Sequence, residues 1–342
     1  MTLQHLRYVL AVAEFGTMNR ASERLNVAQP SLSTAIRSLE EELGIKIFKR
    51  TARGVTLTEN GEEFMVYARQ LYNEYLGIMD KYGKGDGVRK KFAVSTQHYS
   101  FAVKSFVEMV KRYNTQEYDF AIRETMTREV LDDVAKLKSQ IGLIYLSDFN
   151  QVAIQKMLRV RDLVFYPLCR CHTYVYLYKG HPLHDKKSLT LKDLAPYPNL
   201  SFEQGDGSTL FLSEEIFSTN EYTRQIKVTD RGTMCNLFIG LNGYTLCSGI
   251  FCEELNGSDY FAVPFKNEDK HKSDVMEIGF VLKKNLNPSK LTLEYIELMR
   301  SYLSSDPHAE LCDESTEHFK KAKRGRKSQE VEEGLDQLDE ED

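Results

Sequence analysis

No apolar run in this chain of 342 residues approaches the roughly 20 consecutive residues that a membrane-spanning helix needs. The opening stretch, MTLQHLRYVLAVAEFG, is amphipathic and lacks the basic start and small-residue cleavage site of a secretory signal. Cysteine is sparse. Six residues, at 169, 171, 235, 247, 252 and 312, are scattered along the chain and read as reduced thiols rather than a disulfide framework. These absences predict a cytoplasmic protein with no membrane partner. Catalytic signatures are lacking as well: there is no nucleophile motif, phosphate loop or recognisable carboxylate pair, so neither enzymatic activity nor a cofactor is expected. The segment CRCHTYVYLYKGHPLH gathers Cys169, Cys171, His172, His181 and His184. Its spacing matches no ligand pattern, and the residues read as structural thiols and surface histidines with no metal.

The net charge of −5 hides an uneven distribution. Residues 1–60 hold 8 Lys/Arg against 6 Asp/Glu, whereas residues 306–342 hold 6 against 13. The first segment is therefore mildly basic and suited to a polyanion, and the acidity belongs to the end of the sequence. Residues 306–342 have few apolar side chains and read as a charged, disordered tail. Within it, KKAKRGRK (320–327) reads as a solvated basic patch between acids.

Helical spacing appears at once. Leu3, Leu6, Leu10 and Ala13 form one stripe that ends at Gly16; Thr17 caps a second helix with Ala21 and Leu25 inside; Asn26-Val27-Ala28 is a turn. Pro30 suits the first position of a third helix, whose Leu32, Ile36, Leu39 and Leu43 face inward before Gly44 ends it. Gln29, Ser33, Thr34 and Arg37 are left on the outer face. Two short alternating runs, Ile47–Arg50 and Val55–Thr58, predict a β-wing with Lys49, Arg50 and Arg53 around its tip. From Thr58 a long helix carries a heptad seam of Phe64, Ala68, Leu71, Tyr75, Ile78 and Tyr82, more than one winged domain needs to cover, and so a dimerisation helix. GKGDGVRKK reads as a hinge. Strands and helices then alternate in two sets, predicting a parallel α/β sheet.

The run LRYVLAVAEFGTMNRASERLNVAQPSLSTAIRSLEEELGIKIFKRTARGVTLTENG resembles the LysR-type transcriptional regulators, and looser matches (HPL at 181–183, GLNGYTL at 240–246, AVPF at 262–265) extend to about residue 303. The resemblance implies an α/β protein with an N-terminal winged helix-turn-helix (1–58), a linker helix (59–83), a hinge (84–91) and a two-lobed α/β effector-binding domain like periplasmic binding proteins (92–305). The lobes are expected at 92–165 plus 270–303 and at 166–269. Double-stranded DNA is the implied partner, read by Gln29, Pro30, Ser31, Ser33, Thr34 and Arg37, with Arg50 and Arg53 on neighbouring backbone or minor groove. A homodimer or homotetramer and contact with RNA polymerase are implied too. So is a small-molecule effector, a carboxylate or similar anion, between the lobes near Thr96, Gln97, Tyr99, Ser100, Ser147 and Ser201. The chemistry of STQHYS, where free N–H groups and hydroxyls converge at a helix start, agrees with an anion. The alternative is an effector-independent DNA-binding protein whose C-terminal domain only oligomerises. Three departures from the family pattern stand out: Thr34 where many members have Arg, Gly142 where many have Asp, and FAVKSF without Leu-Pro.

Overall fold

Glycine and asparagine end the first helices by adopting the left-handed conformation that most residues avoid. The computed structural model describes residues 1–51, 54–82, 90–113, 117–205, 210–269 and 271–312. The chain divides into two compact units, the first chiefly residues 1–91 and the second chiefly those that follow. In the first, α1 (Leu3–Phe15) stops at Gly16 (φ 68°). Helix α2 (Met18–Leu25) starts where Thr17 Oγ1 accepts from Arg20 N and stops at Asn26 (φ 56°). Helix α3 (Gln29–Leu43) stops at Gly44 (φ 67°). Pro30 is the second residue of α3, one later than expected, which still lies within the first turn where N–H groups have no helical partner. Strands β1 (Phe48–Thr51) and β2 (Gly54–Leu57) form the antiparallel wing, and α4 (Glu59–Tyr82) follows.

Leu6, Val9 and Val12 of α1 are buried with Ala21, Leu32, Ile36, Leu39, Ile47, Met65 and Ala68 in one core. Leu3, expected inside, is 44 % exposed, whereas Tyr8 and Ala11 are buried. Helices α2, α3 and α4 all pack on α1, so its buried surface is broader than one stripe. The wing is fixed to this core by Glu40, whose Oε1 accepts from Ile47 N (2.9 Å) and Phe48 N (3.1 Å) while Oε2 pairs with Lys46 Nζ (2.9 Å). Gly61 lets α4 lie against the Ile47 carbonyl; a Cβ there would overlap it.

The second unit contains two lobes. Strands β3 (Lys90–Thr96), β4 (Tyr118–Glu124) and β5 (Ile141–Leu146) alternate with α5 (Ser100–Arg112), α6 (Thr127–Ala135) and α7 (Gln151–Val160). After β6 (Leu163–His172) the chain enters the second lobe: β7 (Tyr174–Tyr178), α8 (Leu191–Leu194), β8 (Asn199–Phe202), β9 (Gln225–Val228), α9 (Arg231–Leu241), β10 (Thr245–Cys247), α10 (Glu253–Asn256) and β11 (Tyr260–Pro264). It returns through β12 (Val275–Lys283), α11 (Lys290–Ser304) and β13 (Glu310–Leu311). The first-lobe sheet has the order β13-β6-β12-β5-β3-β4. It is mixed, not parallel as the alternation predicts. β3 and β5 run parallel, but β12 is antiparallel to both β5 and β6, because the chain re-enters from the end by which it left.

β6 stays paired with β12 as far as His172, so the crossing falls at Thr173 rather than near residue 166. The end of the fold also differs from expectation: residues 310 and 311 pair with β6, and Cys312 N donates to Leu168 O (2.9 Å), so residues 306–312 belong to the lobe. Residues 83–89 and 313–342, which include most of the expected hinge and tail and the KKAKRGRK patch, lie outside the described residues. The second lobe pairs β10-β7-β11 and β8-β9, joined where Leu200 N donates to Tyr244 O (2.7 Å), over a core of Leu200, Val228, Met234 and Phe238. Gly142 has a packing reason: a Cβ on β5 would stand 2.8 Å from Val130 Cγ1 and 2.9 Å from Val134 Cγ2 of α6.

Replacing Glu40 with alanine leaves two N–H groups at the base of the wing without their acceptor and should cost about 2 kcal/mol. Burial alone would raise the Glu40 carboxyl, but Lys46 and the two N–H groups bring it below the ordinary glutamate value. Its contribution is therefore complete above that ordinary value and lost as pH falls through the lowered one. Thermal unfolding followed from about pH 7 to about pH 3 should show native and E40A proteins converging at the acid end.

Candidate DNA-reading face and interlobe cleft

With Leu32, Ile36 and Leu39 fully or nearly fully buried, the opposite side of α3 is turned outward. Pro30, Ser31, Thr34 and Arg37 are exposed, and Gln29 and Ser33 half-buried. Among the described residues Arg37 makes only a long contact to Glu41 (4.0 Å), which leaves its guanidinium available to a phosphate. Nearby, Lys49 stands on β1 of the wing. The side chain of Arg50 and the whole of Arg53 fall outside the described residues. Gly54 fixes the wing to the body of the unit: it adopts φ 136°, a Cβ would strike Gly16 O, and Val55 N donates to that same carbonyl (2.9 Å).

The predicted seam of α4 divides by position. Ala68 is buried and Phe64 packs on the first-unit core, so these two serve their own domain. Leu71 and Ile78 are 47 % and 57 % exposed, Tyr67 is exposed beside them, and Tyr75 is half-buried. The side chain of Tyr82 is outside the described set. Gly77 has open space around it, and nothing in the structure explains its choice.

In the cleft the first-lobe loop after β3 meets the segment between β8 and β9. His98 offers its backbone N–H (2.9 Å) and ring Nδ1 (2.8 Å) to Glu214 Oε2, and Gln204 Nε2 donates to the other carboxylate oxygen (3.0 Å). The His98 ring also stacks on Phe202, with centroids 3.5 Å apart and planes within 3°. Thr127 adds two more links: its N–H donates to Gln204 Oε1 (3.0 Å) and its hydroxyl to Leu212 O (2.7 Å). Arg231, at the start of α9, pairs with Glu124 at the end of β4. Glu215, beside Glu214, is buried and accepts from Phe202 N (2.9 Å). Burial first, and the charge of Glu214 second, push its carboxyl up to about 8. Next to these groups lies a cavity of about 100 Å³ walled largely by aromatic and apolar side chains, among them Tyr176, Met234, Phe238 and Phe251.

Comparison with known proteins matches residues 3–62 to the bacterial regulatory helix-turn-helix protein, lysR family, and residues 97–304 to the LysR substrate binding domain. The chain belongs to the LysR family of transcriptional regulators. It is 29 % identical over 245 residues to the HTH-type transcriptional regulator AlsR of Bacillus subtilis, covering 70 % of this chain and 77 % of that one. It is 28 % identical over 213 residues to the HTH-type regulator YnfL of Escherichia coli, covering 61 % and 68 %. A full-length OxyR variant from Pseudomonas aeruginosa shares the fold with a TM-score of 0.61 at 19 % identity, covering 92 % of this chain and 98 % of that one.

Of the six cleft residues that the LysR resemblance implies, only Tyr99 and Ser100 line the cavity. Thr96 and Gln97 are buried beneath it: Gln97 Nε2 donates to Thr127 Oγ1 (2.6 Å), and its Oε1 accepts from Tyr99 OH (2.8 Å) and Tyr145 N (3.1 Å). Ser147 sits in the turn before α7, where its N–H donates to Asn150 Oδ1 (2.8 Å). Ser201 is buried on β8; the next residue, Phe202, lines the cavity instead. Sequence reading missed His98, Glu214, Glu215, Arg231 and Thr245. The available signal was SEEIF, adjacent acids set against apolar residues with no helix or strand period.

In the histidine and cysteine segment, the expected surface position fails for one residue. His181 is fully buried, not at the surface: Nε2 contacts Asn242 O (3.0 Å) and Nδ1 accepts from Leu183 N (3.1 Å). Cys169 and Cys171 are buried on β6, and burial pushes both thiols up, Cys169 to about 12.

A carboxyl raised in the folded state contributes stability that is complete below its unfolded value and lost as pH rises through the folded one. Glu215→Gln keeps an acceptor for Phe202 N and cannot ionise. Its melting temperature should exceed that of the native protein at about pH 9 and lose that advantage at about pH 4. Equal curves at both values would place the ionisation of Glu215 elsewhere.

Proposed function

We propose that this LysR-type regulator reads its operator with the outward face of α3 as a homodimer joined through α4, and that a small molecule between the lobes modulates it. The single observation that carries the reading is the two-sidedness of α3. Three side chains of one face are sealed in the core, while the face made of Gln29, Pro30, Ser31, Ser33, Thr34 and Arg37 is small, polar and outward, on a helix that a major groove can admit. Gln29 carries the amide that pairs with adenine edges, the serines allow close approach, and Arg37 and the wing bases Lys49, Arg50 and Arg53 take phosphates. Leu71 and Ile78 are the apolar side chains of α4 left for a second copy. Assembly to a tetramer and contact with RNA polymerase belong to the same proposal by analogy with the family.

Gln29→Ala should cost about 1–3 kcal/mol at the operator and narrow the gap to unrelated DNA. Arg37→Ala should weaken all sequences alike and lower the salt slope by about 0.9. Gel shifts on the DNA upstream of the regulator's own gene, at two salt concentrations, separate the two effects. Unchanged binding in both variants would remove α3 as the reader.

Glutamate at Leu71 and Ile78 together should give monomers in sedimentation and most of the operator affinity should be lost, because two half-sites then bind independently. An intact dimer in that variant places the interface elsewhere.

A further inference from the structure

The loop after β3, where an anion would be expected to rest, already holds a carboxylate, and the chain supplies it. Both oxygens of Glu214 are engaged, one by the N–H and ring of His98, the other by Gln204. An incoming carboxylate would have to displace Glu214 or lie beside it. Among the described residues that line the cavity, the one arginine, Arg231, is already paired with Glu124. Like charges at such a distance, away from water, repel strongly.

A second observation comes from the opposite wall. Thr245 on β10 lines the cavity and is 6 % exposed, and among the described residues its Oγ1 hydroxyl has no hydrogen-bond partner. Buried hydroxyls are rarely left so, because the lost hydration is not replaced. A ligand with one hydrogen-bonding group would replace it. Of the other polar lining residues, Ser100 and Ser248 already accept from Cys252 N and Ile250 N, and most of the remaining wall is apolar and aromatic. An engineered apolar cavity of about 150 Å³ admits benzene, so a space of about 100 Å³ suits roughly four to six non-hydrogen atoms.

We infer that the interlobe cavity takes a small uncharged molecule, largely apolar, whose single hydrogen-bonding group meets Thr245 Oγ1, and that Glu214 excludes carboxylates. This rests on the reading of the cleft as the effector site and adds to it the ligand's charge class and the residues that set it. Glu215 fits the same picture, since burial pushes its carboxyl up and so favours the neutral form at the wall.

The test uses the full-length protein and two probes of the same shape, isobutyramide and isobutyrate, titrated at neutral pH by saturation-transfer NMR. Isobutyramide should bind at least tenfold more tightly than isobutyrate. Thr245→Val, which keeps the side-chain shape, should weaken isobutyramide about tenfold, the loss of one hydrogen bond to a buried group. Glu214→Gln should raise the affinity for isobutyrate relative to isobutyramide several-fold, a ratio that a general loosening of the cleft would not move. Isobutyrate binding as tightly as isobutyramide, isobutyramide indifferent to Thr245→Val, or no binding of either probe would each overturn the inference. Gel shifts run in parallel keep it separate from the effector reading. If isobutyramide binds with this pattern and operator affinity does not respond, the cavity assignment stands and effector control falls. If operator affinity responds to isobutyrate instead, effector control stands and the uncharged-ligand inference falls.

Discussion

Glu214 and His98 hold the cleft together. The carboxylate comes from the second lobe and its backbone and ring partners from the first, and the pair is buried under the stacked Phe202 ring. Thr127 and its partners Gln204 and Leu212 continue the seam, and the Arg231–Glu124 pair closes one side. Parting the lobes means breaking this network, so its stability sets how readily they part. The cost of parting is concentrated in a few polar contacts, because each buried donor or acceptor that loses its partner must regain water to compensate.

The two crossings between lobes limit how that parting can occur. Phe265 N donates to Thr173 O (3.1 Å), and Thr173 Oγ1 donates to Asp274 O (2.7 Å), so the outgoing and returning segments are linked to each other. Parting of the lobes must therefore either leave these two linked segments joined or break their hydrogen bonds.

In the first unit the decisive constraint is the sealing of one side of α3. Leu32 and Leu39 have no exposure, Glu40 turns inward to hold the start of the wing, and the remaining positions are left to solvent or to a partner. Specific reading of DNA needs such a rigid helix, since side chains that reach base edges gain little if their backbone moves.

Much of this was legible in the sequence. The three-helix unit, its turn, the wing and the long helix follow from local signals: apolar residues three and four apart, Thr17 as a cap, and Gly16, Asn26 and Gly44 in left-handed stops. Such signals act between residues close in the chain, and therefore survive in the sequence alone. The mixed order of the first-lobe sheet did not, because β12 inserts between β5 and β6 after a long excursion through the second lobe. Nor did the burial of His181, whose ring finds its partner in the Asn242 carbonyl 61 residues away. The cleft was least legible. Ser147 and Ser201 have the right chemistry for ligand contacts, yet one is bound in a turn and the other is buried in a strand. The sequence by itself determined the helix-turn-helix unit, and its resemblance to the LysR family implied the two lobes. Only the tertiary structure decided that Glu214, 116 residues from His98, would occupy the loop meant for an anion, because no local pattern encodes a contact made across two lobes.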